Sequence, residues 1–226
     1  MCNLYIAPSG ARISMKFQVG APVQPYLPTI APLKSGPFVS ANPVAQVGQW
    51  GLIPPHSPTR KPMTEDGRPM STNNARRERL ATAWTFRGPW KRGQRCLVPA
   101  ESFDEPYWGT GKNIWWRFSR ADGDPWALAG IWSEWTDPAT GEVELSYALI
   151  TQSCDAHPLL RAMHRPGPTT EDDKADKRAV VPLEREHWDQ WLNGSVAQAD
   201  QLIQLPSMEV FRHGAADPTK QVEFTL

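Results

Sequence analysis

The sequence predicts a mixed α+β fold with a mostly antiparallel sheet. Its 226 residues include 11 tryptophans and 23 prolines, a composition that favours loops and flat apolar surfaces over a helical bundle. Apolar runs in the second half of the chain are separated by turn sequences, as successive antiparallel strands are. Hydrophobic residues make up 40% of the chain and charged residues 21%. These proportions are typical of a globular protein with a buried core.

The first third of the chain is predicted to be poor in helix and to consist of extended loops and edge strands. A short strand is expected at residues 1–6, followed by a proline-rich region over residues 8–55. Regular helix is not expected there, because proline lacks an amide donor and clashes with the preceding turn. Asn73 or Asn74 is predicted to cap a helix over residues 75–83, since an asparagine side chain can accept from the first helical turn.

The middle of the chain is predicted to form the sheet. Residues 96–100 have the apolar composition of a buried strand and end in a turn-prone stretch at residues 101–106. Three further runs are expected to follow as an antiparallel meander, over residues 114–118, 126–135 and 143–151.

Short helices and one more strand are predicted towards the C-terminus. Residues 155–163 and 184–192 favour helix, the second ending at Gly194, while residues 179–183 read as a strand. Ser195 is placed to cap a last helix that ends at residue 205.

No internal repeat or linker divides the sequence, so we expect one domain over residues 1–205 and a poorly anchored tail over residues 206–226. No apolar run approaches the roughly 18 residues that span a bilayer, and the N-terminus lacks the pattern of a secretory signal. The prediction is a cytoplasmic protein without membrane contact.

The three cysteines, Cys2, Cys96 and Cys154, are an odd number without a Cys-x-x-Cys pair. This pattern argues against a disulfide framework and a cysteine-rich zinc site. No phosphate-binding loop or acidic metal cluster is evident. We therefore expect free thiols, no cofactor and no metal.

The net charge is zero, but one segment is strongly basic. Residues 76–95 contain seven arginines and lysines against the single acid Glu78, a net charge of +6. Trp84, Phe86 and Trp90 lie among these cations. Bases that stack on aromatic rings and phosphates that meet cations are typical of single-strand binding. The alternative is a solvated basic face whose aromatic rings pack into the core.

Cys2 carries the most specific chemistry. Removal of Met1, which is usual before a small residue, gives Cys2 an α-amine beside its thiol. Ordinary pKa values of about 7.7–8.0 for the amine and about 8.5 for the thiol leave both partly reactive near neutral pH. With an aldehyde, such an aminothiol forms an imine and then closes to a thiazolidine. The alternative is an incidental cysteine at the start of an edge strand.

His164 and Glu105 are the candidates for moving protons at such a site. The ordinary pKa of histidine, about 6.5, lies near physiological pH, whereas a structural histidine and a solvated or capping carboxylate are the alternatives. With Cys2 these two residues also match a triad-like cysteine peptidase or amidase. A protein that binds single-stranded DNA without a covalent bond is a third possibility.

An ordered set of short motifs resembles the SOS response-associated peptidase (SRAP) family of abasic-site processing proteins. The motifs are Met-Cys at residues 1–2, Trp-Gly-Leu-Ile-Pro at 50–54, Asn-Ala-Arg-Arg-Glu at 74–78, Cys-Leu-Val-Pro-Ala at 96–100 with Phe103 and Glu105, Ala-Gly-Ile-Trp at 129–132, and residues 151–164.

The resemblance implies a single domain on a curved, barrel-like, mostly antiparallel sheet with short flanking helices, and a monomer. It implies DNA repair in the SOS response, in which Cys2 crosslinks to the ring-opened sugar of an abasic site and shields it. Asn74 would orient the sugar or the amine, Glu105 would hold and deprotonate the amine, and His164 would assist ring opening or imine protonation. The family is also described as a thiol autopeptidase, and lyase activity is possible.

The implied partner is single-stranded DNA that contains abasic sites, so a nucleoid-associated location in the cytoplasm is expected. Arg76 would bind a neighbouring phosphate, and Trp50, Arg77 and Arg178 are the other expected DNA-binding residues. The motif arginine after His164 is either Arg178 or Arg165. The family's usual Cys-Gly-Arg opening is here Cys2, Asn3 and Leu4, which removes a basic side chain.

Overall fold

Two β-sheets hold most of the regular structure in the computed structural model, which describes residues 2–164, 177–217 and 219. The strands, in chain order, are β1 (Tyr5–Ile6), β2 (Thr29–Ile30), β3 (Ser35–Phe38), β4 (Gln46–Trp50), β5 (Asn74–Arg76), β6 (Arg95–Ala100), β7 (Ser102–Tyr107), β8 (Ile114–Arg120), β9 (Trp126–Thr136), β10 (Val143–Ser153), β11 (Arg178–Val180) and β12 (Phe211–Ala215). The α-helices are α1 (Gly10–Phe17), α2 (Trp84–Lys91), α3 (Trp188–Asn193) and α4 (Val196–Gln201), with 3-10 turns at Arg77–Arg79, Leu160–Ala162, Arg185–His187 and Met208–Val210.

One sheet has the strand order β12-β8-β7-β1-β2, and the other β3-β4-β10-β9-β6. Strands β5 and β11 also pair with β10. Among the described strands, only β4 and β5 pair in parallel with β10, and the other pairs are antiparallel. The sheets form a nearly closed, barrel-like structure. The predicted fold class is therefore confirmed.

The core has two parts because side chains alternate across each strand. On β6, Cys96 and Val98 point into a cluster between the two sheets, together with Tyr5, Phe103 and other aromatic side chains. The intervening Leu97 joins a second cluster that packs beneath the helices. The inner cluster contains Cys2, so the candidate nucleophile lies inside the barrel.

The apolar runs predicted as a meander are all strands, but they do not form one sheet. Strands β9 and β10 pair as a long hairpin. Strand β8 pairs instead with β7 and β12 in the other sheet. Alternating apolar residues indicate a strand but do not specify its partner, and the chain changes sheet at the turn after β8.

Several local predictions in the first half were wrong. Helix α1 lies in the proline-rich region, within a proline-free stretch where Ile13 and Phe17, four residues apart, pack into the core and the Ser9 side chain accepts from the Arg12 amide. The helix predicted at residues 75–83 is absent: Asn74 begins β5, which is held by parallel pairing with β10. The stretch 101–106, predicted as a turn, is largely β7.

Towards the C-terminus the predictions were better. Gly194 ends α3, and the Ser195 side chain caps α4 as part of a capping box. The stretch 155–163 contains only the 3-10 turn. Residues 211–215, within the predicted tail, form β12 and pair with β8, so this part of the tail is anchored. The placing of the domain boundary at residue 205 stays a prediction. No helix of the described residues is long and apolar enough to cross a bilayer.

Candidate active site

Three distant segments of the chain meet around Cys2, whose side chain is completely buried. Strand β5 brings Asn74, and its Nδ2 donates to the Cys2 carbonyl oxygen at 2.7 Å. Strand β7 brings Glu105, which is 1% exposed. His164 completes the group, with its Nε2 3.4 Å from Oε2 of Glu105. The structure thus brings together the four residues that the sequence proposed for catalysis.

Sheet pairing explains this arrangement. Strand β1 pairs with β7 so that Tyr5 lies opposite Phe103. Phe103 and Glu105 share a face of β7 because side chains alternate, and this face points into the barrel. Asp104 points to the other face and forms a bidentate ion pair with Arg117, with both N···O distances 2.8 Å. Both carboxyls are buried, but Asp104 is neutralised by the half-exposed Arg117, whereas Glu105 faces the barrel interior.

The backbone at His164 is unusual. Its φ of 66° is in the left-handed region, which side chains other than glycine rarely adopt and which is enriched at functional sites. The His164 amide donates to the Pro106 carbonyl oxygen at 2.6 Å. This bond ties His164 to the residue that follows Glu105.

The hydrogen bonds of the His164 ring assign its tautomer. Nε2 lies 3.0 Å from the carbonyl oxygen of Arg178. A carbonyl oxygen can only accept, so Nε2 carries the proton and Nδ1 is unprotonated in the neutral ring. The same nitrogen lies 3.4 Å from Oε2 of Glu105. His164 is therefore arranged as a donor at Nε2.

Burial controls the protonation of this site. It raises the pKa of Glu105 to about 7 and lowers the pKa of His164 to about 4, because both charged forms are poorly solvated. The His164–Glu105 contact is accordingly not an ion pair at neutral pH, since the imidazole is neutral there. Glu105 can exchange a proton at this pH.

The thiol of Cys2 is not a preformed thiolate. Burial, and next the charge of Glu105, raise its pKa well above the ordinary value. Its Sγ donates to the Leu4 carbonyl oxygen at 3.4 Å. Cys154 is a second buried thiol in the same core cluster, and burial followed by the charge of Glu105 raises its pKa to about 12. No pattern in the sequence indicates that Cys154 lies near this carboxyl.

Asn73 also belongs to the site, although the sequence suggested it only as a helix cap. Its Nδ2 lies 3.4 Å from the Cys2 carbonyl oxygen and 3.2 Å from Oδ1 of Asn3. Asn3 is thus held by the residue that directly precedes β5, the strand whose Asn74 holds Cys2. The signal in the sequence was the Asn-Asn pair itself.

Two of the predicted DNA-binding residues are buried, which corrects those predictions. Trp50 is 0% exposed, packs edge-on against Tyr5 and donates its indole N–H to the Asn73 carbonyl oxygen at 2.9 Å. Its ring offers no face to a base, and it supports the Asn73–Asn74 segment instead. The Arg178 side chain is 4% exposed and forms an ion pair with Glu78.

The other predicted DNA contacts differ in exposure. Arg77 binds the Asp200 carboxylate at 2.9 Å and the Ile203 carbonyl oxygen at 3.1 Å. It therefore connects to the end of α4, while its side chain is 37% exposed, and its DNA contact stays a prediction. Arg76 is exposed at the end of β5, and its DNA contact stays a prediction. Arg165 lies outside the described residues.

The basic segment is divided by helix α2. Phe86 and Trp90 pack into the core, as the alternative for this segment required. Trp84, 49% exposed, lies on the solvent side with Arg87 and Lys91. Their spacing of three and four residues places them on one helix face. We call Trp84, Arg87 and Lys91 the α2 stripe.

Within the described residues, no group of three or more His, Cys, Asp or Glu side chains is placed to hold a metal ion.

Comparisons with known proteins agree with this architecture. A family model described as SOS response associated peptidase (SRAP) matches residues 5–216. A search of the curated proteins found no match. The chain is similar to the crystal structure of a protein from Bordetella bronchiseptica, with 30% identity, a TM-score of 0.84, and coverage of 96% of this chain and 100% of that one.

Two more distant structures share the fold. One is a protein from Bacteroides thetaiotaomicron, with 19% identity, a TM-score of 0.76, and coverage of 98% of this chain and 100% of that one. The other is a phage-related protein from Bordetella bronchiseptica, with 16% identity, a TM-score of 0.64, and coverage of 96% and 93% of the two chains.

Proposed function

The chain belongs to the SOS response associated peptidase family, as its motifs suggested. We propose that Cys2 crosslinks the protein to abasic sites in single-stranded DNA. One observation carries the proposal: Cys2 lies where an amide from β5, a carboxyl from β7 and the His164 ring converge. These groups suit the handling of an amine and an aldehyde. The crosslink would shield the abasic site from cleavage during the response to DNA damage.

The proposed reaction begins after Met1 is removed. The α-amine of Cys2 attacks the C1′ aldehyde of the ring-opened sugar, and loss of water gives an imine. The thiol sulfur then adds to the imine carbon while the thiol proton passes to the nitrogen. The aminothiol and the aldehyde thus give one thiazolidine and one water. Because the pKa of the Cys2 thiol is raised, the sulfur reacts as a thiol that releases its proton during ring closure.

The neighbouring groups have separate roles in this proposal. Glu105, with a pKa of about 7, accepts the proton of the attacking amine and returns it to the leaving hydroxyl, because a group with this pKa can do both near neutral pH. His164, whose ring is neutral, offers its Nε2–H as a hydrogen bond to the sugar oxygen during ring opening or to the imine, while the proton itself comes from Glu105. Asn74 fixes the Cys2 carbonyl and so orients the adjacent carbon that bears the amine.

A heat-stable adduct is the expected result of mixing the mature protein with a single-stranded oligonucleotide that contains one abasic site. A denaturing gel would show the shifted band, and the intact mass would equal protein plus oligonucleotide minus one water. The same oligonucleotide with an intact base is the control. A noncovalent complex without an adduct would contradict the proposal and support simple strand binding, whereas Cys2-dependent peptide or amide turnover without DNA would support a hydrolase.

We further propose that the α2 stripe binds the flanking strand. It combines one exposed ring with two cations on a helix face, and α2 follows shortly after β5, which holds Asn74. Base stacking on Trp84 and phosphate contacts from Arg87 and Lys91 fit the general physics of single-strand binding.

Removing the stripe is expected to weaken DNA binding without changing the fold. Trp84→Ala should cost about 1–3 kcal/mol of binding free energy if one base stacks on the ring. Arg87→Ala and Lys91→Ala should each reduce the slope of log affinity against log salt concentration by about 0.7. Fluorescence anisotropy on an intact oligonucleotide measures both. Arg212→Ala, which removes an exposed cation from β12, is the matched control, and equal losses in the control would contradict a specific stripe.

A further inference from the structure

The first residue of β11 supplies the acceptor for the His164 ring. Arg178 begins this three-residue strand, and its carbonyl oxygen lies 3.0 Å from Nε2 of His164. Terminal residues of short strands fray readily, because few ladder hydrogen bonds hold them. The carbonyl that orients the ring therefore needs an anchor besides its strand.

The side chain of Arg178 provides that anchor by crossing β10. Its guanidinium donates to the Thr151 carbonyl oxygen at 3.1 Å and lies 3.4 Å from Oγ1 of the same residue. It ends in an ion pair with Oε2 of Glu78 at 2.7 Å. Arg178 is 4% exposed and Glu78 53% exposed, so the cation is buried and its counter-charge reaches in from the surface.

This ion pair connects the two halves of the site. Glu78 belongs to the 3-10 turn that directly follows β5, and β5 holds the Cys2 carbonyl through Asn74. Thr151 lies opposite Arg76 of β5 on one side and Val180 of β11 on the other. The Glu78–Arg178 bridge thus spans from the strand that fixes Cys2 to the strand that fixes His164.

We propose that Glu78 and Arg178 are positioning residues that set the orientation and tautomer of the His164 ring. Glu78 holds the guanidinium across β10, and this holds the Arg178 carbonyl where Nε2 donates to it. The structural part of the inference stands alone, whereas its kinetic consequence rests on the proposed crosslinking reaction.

Nitrogen-15 spectra of the histidine rings test the structural part. Wild-type protein is expected to show His164 as a single tautomer protonated at Nε2, with the signal assigned by its loss in His164→Gln. Glu78→Gln should give a mixture of tautomers at the same pH. Asp200→Asn is the matched control, because it breaks a half-exposed ion pair to the neighbouring Arg77 and should leave the His164 signal unchanged.

Crosslinking rates test the functional part on the same variants. Glu78→Gln should slow adduct formation about tenfold, since small displacements of a reacting group have effects of this size or larger, while noncovalent DNA affinity stays unchanged. Glu78→Asp keeps the carboxylate and should restore part of the rate. If Glu78→Gln melts at a lower temperature than the assay, Arg178→Lys, which keeps the buried charge, replaces it in both measurements.

The outcomes are separable. An unchanged His164 signal and rate in Glu78→Gln would overturn the positioning role. Loss of DNA affinity without a change in the ring signal would show that Arg178 serves DNA binding instead. If wild-type protein forms no adduct, the proposed function fails, and the ring spectra alone still decide this inference.

Discussion

Replacing Cys2 by Ala is expected to abolish the adduct with abasic DNA, to about 1% of the wild-type rate or less, because the variant lacks the nucleophilic sulfur. The amine that remains can form only an imine, which hydrolyses on heating. Borohydride, which reduces an imine to a stable amine, should therefore restore a gel shift for Cys2→Ala. This difference would separate the role of the sulfur from that of the amine.

Two controls make the result specific to Cys2. Cys154→Ala removes another buried thiol of the same cluster and is expected to retain the adduct. A protein that keeps an extra residue before Cys2 has the thiol but an acylated Cys2 nitrogen, and it should not form the thiazolidine. An adduct of normal yield from either Cys2→Ala without borohydride or the extended protein would refute the aminothiol reaction.

Glu105→Gln is expected to stabilise the fold at alkaline pH. The pKa of Glu105 is about 7 in the folded protein, compared with an ordinary value of 4.5. The carboxyl therefore makes its full contribution to the stability of the fold below pH 4.5. This contribution is lost as the pH rises through about 7. The difference between these two pKa values corresponds to at most about 3 kcal/mol of unfolding free energy. Glutamine is never ionised and avoids this cost.

Thermal unfolding at several pH values measures the effect. The melting temperature of Glu105→Gln should exceed that of the wild type by up to about 6–12 °C at pH 8.5, at about 2–4 °C per kcal/mol for a chain of this size. The difference should vanish near pH 4. Glu65→Gln, which changes an exposed carboxylate, should show no such pH dependence. Equal melting temperatures at pH 8.5 would mean that ionised Glu105 does not destabilise the fold.

Glu105 would then be a residue that lowers the stability of the fold but is needed for the reaction. Glu105→Gln should also slow adduct formation, because glutamine cannot accept the proton of the attacking amine. A variant that is more stable but less reactive is the expected combination. It would distinguish Glu105 from a carboxyl that merely supports the barrel.

Local sequence patterns predicted much of the secondary structure, and the predictions that were wrong have identifiable physical causes. Strands β9 and β10 were predictable from alternating apolar residues and turn sequences, and α4 from its Ser195 cap. The local pattern at Asn74 predicts a helix cap, because asparagine often has that role. Its parallel pairing with β10 instead depends on residues more than seventy positions away. Strand β12 was missed because its polar sequence becomes sheet only against β8.

The candidate site, too, could be predicted only in part from the sequence. The reactive groups can be identified from the sequence: an aminothiol at Cys2 after loss of Met1, with Asn74, Glu105 and His164 as partners in ordered motifs. The burial of Trp50 and Arg178 and the bonds from Arg77 to the end of α4 depend on tertiary contacts. The reason is that exposure and pKa depend on burial and on neighbours from distant segments, which sheet pairing brings together. The sequence thus predicts that Cys2 is reactive. In the folded protein its thiol is buried and protonated, beside a carboxyl that can exchange a proton at neutral pH.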